Sequence, residues 1–159
     1  MSAVAVRFTR LPHGEALPAP VYATAGAAGL DLVAAVPEAE PLAIRPGAWA
    51  AVPTGIILEI PPGYQGEVRP RSGLALQHGV TILNAPGTID SDYRGEVRVL
   101  LVNLARETFT VTRGMRVAQI VFMPFTRVSL KESSALDATA RGEGGFGSTG
   151  LERKIVGER

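Results

Sequence analysis

Glu96-Val-Arg-Val-Leu-Leu-Val-Asn-Leu-Ala-Arg-Glu-Thr-Phe-Thr-Val-Thr-Arg-Gly-Met-Arg-Val-Ala-Gln-Ile-Val-Phe-Met-Pro124 holds three strand-like runs in close succession. Glu96 to Asn103 starts in alternation, with Glu96 and Arg98 between Val97 and Val99, and then turns apolar. Thr108 to Thr112 alternates throughout, and Met115 to Met123 closes the series before Pro124. A period of two sends successive side chains to opposite faces of a strand, so an alternating run offers one face to a core and the other to solvent.

The same texture extends outward. Ala3 to Phe8 and Gly79 to Leu83 read as strands, and Ala48 to Ile60 as one or two, broken near Pro53-Thr54-Gly55. Between them the 18 glycines and 12 prolines are spread along the whole chain. Many short strands with Gly/Pro turns predict an all-β sandwich or barrel rather than a parallel α/β sheet. Helix is expected only at Gly73 to His78 and around Ser133 to Ala140. There is no internal repeat. From Arg141 to Gly150 the composition shifts, with five glycines in ten residues. That segment reads as a flexible arm and Leu151 to Arg159 as a charged tail. The expected division is a β domain over 1–136 and an arm with its tail over 137–159.

Composition removes several classes. A chain of 159 residues, 46% hydrophobic and 19% charged, suits one globular domain with a sizeable core. The absence of cysteine excludes disulfides, thiol catalysis and cysteine-zinc sites. A net charge of +1 gives no support for bulk attraction to nucleic acid or membrane. The start of the chain lacks the pattern of a secretory signal, and no run approaches the ~18 apolar residues of a spanning helix. A cytoplasmic location is the default expectation. Apart from Lys131 and Lys154 the basic residues are arginines, which suit planar, bidentate grips on phosphate or carboxylate.

The arm contains two misleading patterns. Gly142-Glu-Gly144-Gly-Phe-Gly147 fits the dinucleotide signature G-x-G-x-x-G, which needs a helix and a second strand after it. Only twelve residues follow Gly147. Gly142 to Thr149 nearly fits P-loop spacing, but Ser148 stands where the lysine must be. Glycine-rich backbone can still offer several N–H groups to phosphate.

Four segments put polar groups in unexpected places. Asp31 sits inside the apolar stretch Ala27 to Val33, where a carboxylate is costly without a partner. It reads either as a turn or capping residue after Gly29, or as a ligand to a metal or its water. Pro70-Arg71-Ser72-Gly73-Leu74-Ala75 reads as a strand-to-helix turn with Ser72 as N-cap, compatible with an anion cup beside Arg71. Gly87 to Glu96 joins two apolar strands as a hairpin tip. Asp90 and Asp92, two apart, could share a face, and the local sequence does not decide which is buried. Gln119 alternates with apolar neighbours and is expected to need inward partners.

Together these segments resemble, in order and spacing, the five motifs of the trimeric dUTP diphosphatase (dUTPase) family. They stand here as Ala28-Gly-Leu-Asp-Leu32, Pro70-Arg-Ser-Gly-Leu-Ala75, Gly87-Thr-Ile-Asp-Ser-Asp-Tyr-Arg-Gly95, Arg113-Gly-Met-Arg-Val-Ala-Gln119 and Arg141-Gly-Glu-Gly-Gly-Phe-Gly-Ser-Thr-Gly150. The resemblance spans Val21 to Gly150, with no departure at a position that carries chemistry.

The resemblance implies a β jelly-roll that assembles as a homotrimer, with three active sites built between subunits. It implies hydrolysis of dUTP to dUMP and pyrophosphate, which keeps uracil out of DNA and supplies dUMP for dTMP synthesis. Asp90 matches the aspartate that activates water for attack on the α-phosphorus, and burial is expected to strengthen it as a base. Mg2+ would be held mainly by the triphosphate, with Asp31 orienting a metal-bound water. Arg71, Ser72, Gly73, Gln119, Arg141, Gly147 and Ser148 match phosphate-binding positions. Asn84, Gly87, Thr88 and Ile89 would read uracil, Tyr93 would pack on the deoxyribose, and Phe146 would stack on the base as a lid. Two other readings stay open: a dCTP deaminase, or a bifunctional deaminase-diphosphatase, on the same fold, and a trimeric regulatory protein that binds nucleotide without needing turnover.

Overall fold

A computed structural model describes residues 3–148. The chain divides into two compact units, Met1–Thr126 and Arg127–Arg159. Thr149 and Gly150 at the end of the arm, and the tail from Leu151 to Arg159, lie outside the described residues.

The first unit is built from ten short strands: β1 (Arg7–Arg10), β2 (Leu30–Val33), β3 (Leu42–Ile44), β4 (Trp49–Glu59), β5 (Tyr64–Arg69), β6 (Val80–Ile82), β7 (Gly87–Ile89), β8 (Glu96–Asn103), β9 (Phe109–Val111) and β10 (Arg116–Pro124). Among the described residues the one α-helix, α1 (Ser72–His78), lies between β5 and β6, and a 3-10 turn spans Pro12–Gly14. One sheet has the order β1-β4-β8-β6, a second β2-β10-β5-β7, and a two-stranded sheet pairs β3 with β9. Every pairing is antiparallel. No sheet among the described residues closes on itself, so the architecture is a sandwich-like jelly-roll and not a closed barrel. Val52, Val97, Val99 and Leu101 from the first sheet share one core with Leu32, Val68 and Ile120 from the second. Alternation shows directly in β8, where Val97 and Val99 are buried and Arg98 between them is exposed.

Several expectations shift when strands meet partners. The first strand runs Arg7–Arg10, not Ala3 to Phe8, because it exists only where β4 offers a partner, from Arg7 opposite Glu59 to Arg10 opposite Ile56. The expected break near Pro53-Thr54-Gly55 is a bulge inside one continuous strand. The register of β4 on β8 slips between Pro53 and Ile57, and Gly55 has a φ of 69°. That positive φ favours glycine. Strands β2, β3, β5 and β7 carried too little periodicity to be read. Three of them have only three or four residues, and Gly66 interrupts the fourth.

Helix α1 agrees with expectation, but Ser72 is its first residue and not its cap. Arg71 holds the cap position in extended backbone, with no side-chain capping bond. The helix expected around Ser133 to Ala140 does not form. Ser133 instead bonds its hydroxyl to the Ala135 carbonyl. A short helix is marginal without a packed apolar face, and Leu136 is the only large apolar residue the segment offers. Turns appear only near the end of the second unit's described residues, with Gly144 N–H donating to Arg141 O and Ser148 N–H to Gly145 O.

The β3–β9 corner hangs on Asn103, which is fully buried. Its amide nitrogen donates to Ile44 O (2.8 Å) and Glu107 O (2.7 Å), and its oxygen accepts from Ala105 N–H (2.9 Å). Replacing it by Ala leaves the buried Ile44 carbonyl and the part-buried Glu107 carbonyl and Ala105 N–H without these partners. We expect Asn103→Ala to lose about 3 kcal/mol of stability, read as a lower urea midpoint at one fixed protein concentration. A change below about 1 kcal/mol would show that the corner does not depend on this side chain.

Candidate active site

The polar residues singled out by sequence gather in two places on the first unit. The first is the β2 edge of the second sheet. Asp31 lies on β2, not in a turn, and Gln119 stands opposite it on β10. The Asp31 side chain is only 18% exposed, and two arginines offset the cost of burying it. Arg71 Nε reaches Oδ1 at 3.2 Å, and Arg116 Nη1 donates to Oδ2 at 3.0 Å. The register of β10 on β2 shifts between Arg116 and Ala118. Arg71 also donates to Arg116 O (3.2 Å), which ties the strand-to-helix turn to β10. Gln119 has the partner its setting demands, donating to Pro70 O at 3.0 Å. Gly29 is small for a reason: a Cβ there would stand 2.5 Å from Gln119 Oε1.

The chemistry of this cluster suits anion binding. It holds two guanidinium groups and a side-chain amide around one carboxylate, with the exposed Ser72 and Gly73 at the start of α1. Among the described residues no three His, Asp or Glu side chains converge to hold a metal. A cation such as Mg2+ can be satisfied by one carboxylate, water and phosphate oxygens, so the donor set fits a metal that arrives with its ligand and not a resident one. Arg116 was not singled out by sequence. Its position in the Arg113–Gln119 motif was visible, but its reach to Asp31 depends on a pairing between distant strands.

The second place is the hairpin after β7. Asn84, Thr88, Ile89, Asp90, Tyr93, Glu96, Arg98 and Leu100 line a cavity of about 260 Å³. Asn84 packs against Gly87, whose absent Cβ would stand 3.2 Å from the amide nitrogen. The hairpin tip is closed by its own bonds. Tyr93 N–H donates to Asp90 O (3.2 Å), and Arg94 Nη1 donates to Ser91 O (2.7 Å) and Tyr93 O (2.9 Å). The Tyr93 hydroxyl donates to Glu96 O at 3.1 Å, folding the ring over Gly95, where a Cβ would overlap it.

The two aspartates separate here. Asp90 lines this cavity, whereas Asp92 lines a different cleft with Arg7, Glu59 and Arg94. Asp90 is exposed, so the burial expected to strengthen it as a base is not supplied by this chain's fold.

The hairpin foot holds groups that sequence reasoning missed. Glu96 accepts Gly55 N–H (2.9 Å) and Arg98 Nε (3.0 Å) and lies 2.7 Å from His13 Nε2. Burial pushes the Glu96 carboxyl up, but the donors His13, Gly55 and Arg98 outweigh it and hold the carboxyl below its ordinary value.

The remaining sequence-predicted residues lie in the second unit. Arg141 Nε donates to Gly144 O at 2.7 Å, and Phe146 has a φ of 48° beside Gly147 at 86°. A Cβ at Gly144 would crowd the Ser148 side chain.

Comparisons with known proteins agree with one another. The family model dUTPase matches residues 15–150. Deoxyuridine 5'-triphosphate nucleotidohydrolase of Rhizobium meliloti (strain 1021) is 64% identical over 143 residues, covering 90% of this chain and 89% of that one. Its namesake from Mesorhizobium japonicum is 64% identical over 145 residues, covering 91% and 90%. Among solved structures, a mutant dUTPase of Staphylococcus bacteriophage 80alpha with dUpNHpp superposes with a TM-score of 0.78 at 23% identity, covering 92% of this chain and 99% of that one. A mutant dUTPase of S. aureus phage phi11, described with a structural Mg(II) ion, gives 0.73 at 22% identity, covering 84% and 99%.

The Glu96 cluster makes stability depend on pH. A carboxyl whose folded pKa lies below its unfolded value, about 4.3, contributes fully above the unfolded value. That contribution is lost as pH falls through the folded one. Between about pH 5 and pH 3 the wild-type urea midpoint should therefore fall further than that of Glu96→Gln. Parallel curves for the two proteins would mean that these donors do not favour the carboxylate in the folded state.

Proposed function

The chain belongs to the dUTPase family, and from that premise we propose that it cleaves dUTP to dUMP and pyrophosphate at sites shared between the chains of a homotrimer. It is a dUTP diphosphatase by family. In the cell this activity keeps uracil out of DNA and supplies dUMP for dTMP synthesis, in a cytoplasmic setting. No helix among the described residues is long and apolar enough to cross a membrane. The observation that carries the mechanism is the hairpin cavity, where Asp90 stands beside Asn84, Thr88, Ile89 and Tyr93. Its size is below the ~300–1,000 Å³ of pockets that swallow drug-sized ligands, which suits a nucleoside whose triphosphate runs outside it.

In this reading Asn84 and the backbone of Gly87, Thr88 and Ile89 pair with uracil, and cytosine would leave those groups unmatched. Such mispairing can discriminate by about 10⁴ or more. Tyr93 packs on the deoxyribose where a ribose hydroxyl would stand. Asp90 holds and deprotonates the water that attacks the α-phosphorus. Arg71, Ser72, Gly73 and Gln119, with Arg141, Gly147 and Ser148 of the arm, neutralise the phosphates as charge moves to the leaving pyrophosphate. Phe146 covers the base. Asp31 is the carboxylate available to a water of phosphate-bound Mg2+, which when present adds charge neutralisation.

Strand register supports sharing between chains. Asp31 is level with Gln119 and Arg69, while Ile89 pairs with Gly66, so Asp90 lies four residues further along the sheet and three strands away. At ~3.3 Å per residue and ~4.8 Å per strand the two carboxylates are roughly 20 Å apart in one chain. The phosphate cluster of one copy and the hairpin of another are then the natural partners. Burial of Asp90, which its own subunit does not provide, would come from the same assembly.

We expect Asp90→Asn to keep nucleotide binding while kcat falls about 10²–10⁴-fold. A crippled Asp92→Asn beside a near-normal Asp90→Asn would assign the base to the other cleft. A pyrophosphate-release assay across dUTP, dCTP, dTTP and UTP should show strong preference for dUTP. Ammonia release from dCTP would instead point to a deaminase. Comparable kcat/KM for two of these nucleotides would overturn the hairpin assignment, and binding without turnover would favour a regulatory role.

A further inference from the structure

The Glu96 side chain is only 9% exposed and takes three donors, yet no step of hydrolysis calls for it. It is the first residue of β8, and its sole pairing across to β4 is with Ile57, beyond the bulge. Strand ends beyond a break in the ladder are where pairing is weakest. What holds this end is the carboxylate. Its bond to Gly55 N–H fills the donor that the bulge leaves free. The Gly55 carbonyl in turn accepts Leu11 N–H at 2.8 Å, and Gly14 lies so close that a Cβ on it would stand 2.5 Å from that oxygen. The turn carrying His13, the bulge and the foot of the hairpin are thereby clamped at one carboxylate, with Arg98 closing its other oxygen.

The other face of Glu96 touches the proposed nucleoside site. Its main-chain oxygen receives the Tyr93 hydroxyl, Tyr93 N–H binds Asp90 O, and Arg94 fastens Ser91 and Tyr93. The loop from Asp90 to Gly95 is thus one closed piece standing on Glu96, and Glu96, Arg98, Asp90 and Tyr93 line the same cavity. We propose that Glu96 is a positioning residue for the nucleoside pocket. Its carboxylate, anchored on the Gly55 bulge and braced by His13 and Arg98, fixes the seat of the Tyr93 ring and thereby the discrimination between a 2′-deoxyribose and a ribose. This rests on dUTP being the substrate.

The test uses the full-length protein with 3-fluorotyrosine incorporated, the Tyr93 fluorine resonance being assigned by Tyr93→Phe. Without nucleotide, Glu96→Ala should shift or broaden that resonance, and Glu96→Gln, which still accepts Gly55 N–H, should restore it. With substrate, Glu96→Ala should raise KM for dUTP about tenfold and lower the dUTP-to-UTP ratio of kcat/KM about tenfold, with kcat within about threefold. Glu96→Gln should stay within about threefold of wild type in that ratio. If Glu96→Ala does not fold, the exposed pair His13→Ala with Arg98→Ala carries the test, with a ratio lowered about threefold. An unmoved Tyr93 resonance with a wild-type ratio overturns the proposal, as does a fall in kcat that leaves the ratio intact. Wild-type enzyme that fails to prefer dUTP would overturn the substrate reading, while the fluorine resonance would still decide whether Glu96 seats Tyr93.

Discussion

Strand β10 is bonded on both sides, and its register sets Gln119 between Asp31 on β2 and Arg69 on β5. Side chains on a strand alternate, so a slip of one residue would carry Ala118 and Ile120 out of the core and turn the polar Gln119 into it. The core therefore enforces the register, and the register aligns the polar residues. Gln119 meets Pro70, Arg116 meets Asp31, and Arg71 bridges to both Asp31 and β10. Because β5 also pairs with β7, the same constraint fixes the level of the Gly87–Gly95 hairpin.

The electrostatics follow from that frame. The Asp31 carboxylate, only 18% exposed, is oriented by the two guanidinium groups that offset its charge. The excess positive charge stays available to an anion. The hairpin solves the opposite problem. Its tip is exposed and made of Asp, Ser, Asp, Tyr and Arg, yet backbone bonds to Tyr93 and Arg94 close it, so a surface loop keeps one shape. Glu96 links the two kinds of order. It is a charged group at the rim of the core, where burial raises its carboxyl pKa and the donors His13, Gly55 and Arg98 hold it below its ordinary value.

In the proposed reading the two edges of the second sheet carry complementary halves of one site. One chain holds the Asp31 edge and the Gly87–Gly95 hairpin apart, because the strands between them have fixed width and rise. Closed cyclic association lets such edges meet without any new fold. The arm contributes glycines with positive φ at Gly142 and Gly147, around Arg141, Phe146 and Ser148, a segment whose turns are local to itself.

Much was legible in the residues. Alternation in Glu96 to Asn103, the Gly/Pro spacing and the five ordered motifs were enough for an all-β fold and for the family, since each is a local pattern that survives without knowing its partner. The short strands β2, β3, β5 and β7 were not legible. They carry too few residues for a period, and they exist because β10, β5 and β9 offer free edges. The same reason hid the Arg116–Asp31 pair and the His13–Glu96 contact, which join residues far apart in the chain. It also hid the separation of Asp90 from Asp92, which depends on which cleft each side of the tip faces. Sequence by itself determined an all-β chain and the family it resembles. Tertiary structure decided which residues meet, because a contact between distant strands is set by register and packing of the whole sheet, and no local window contains that information.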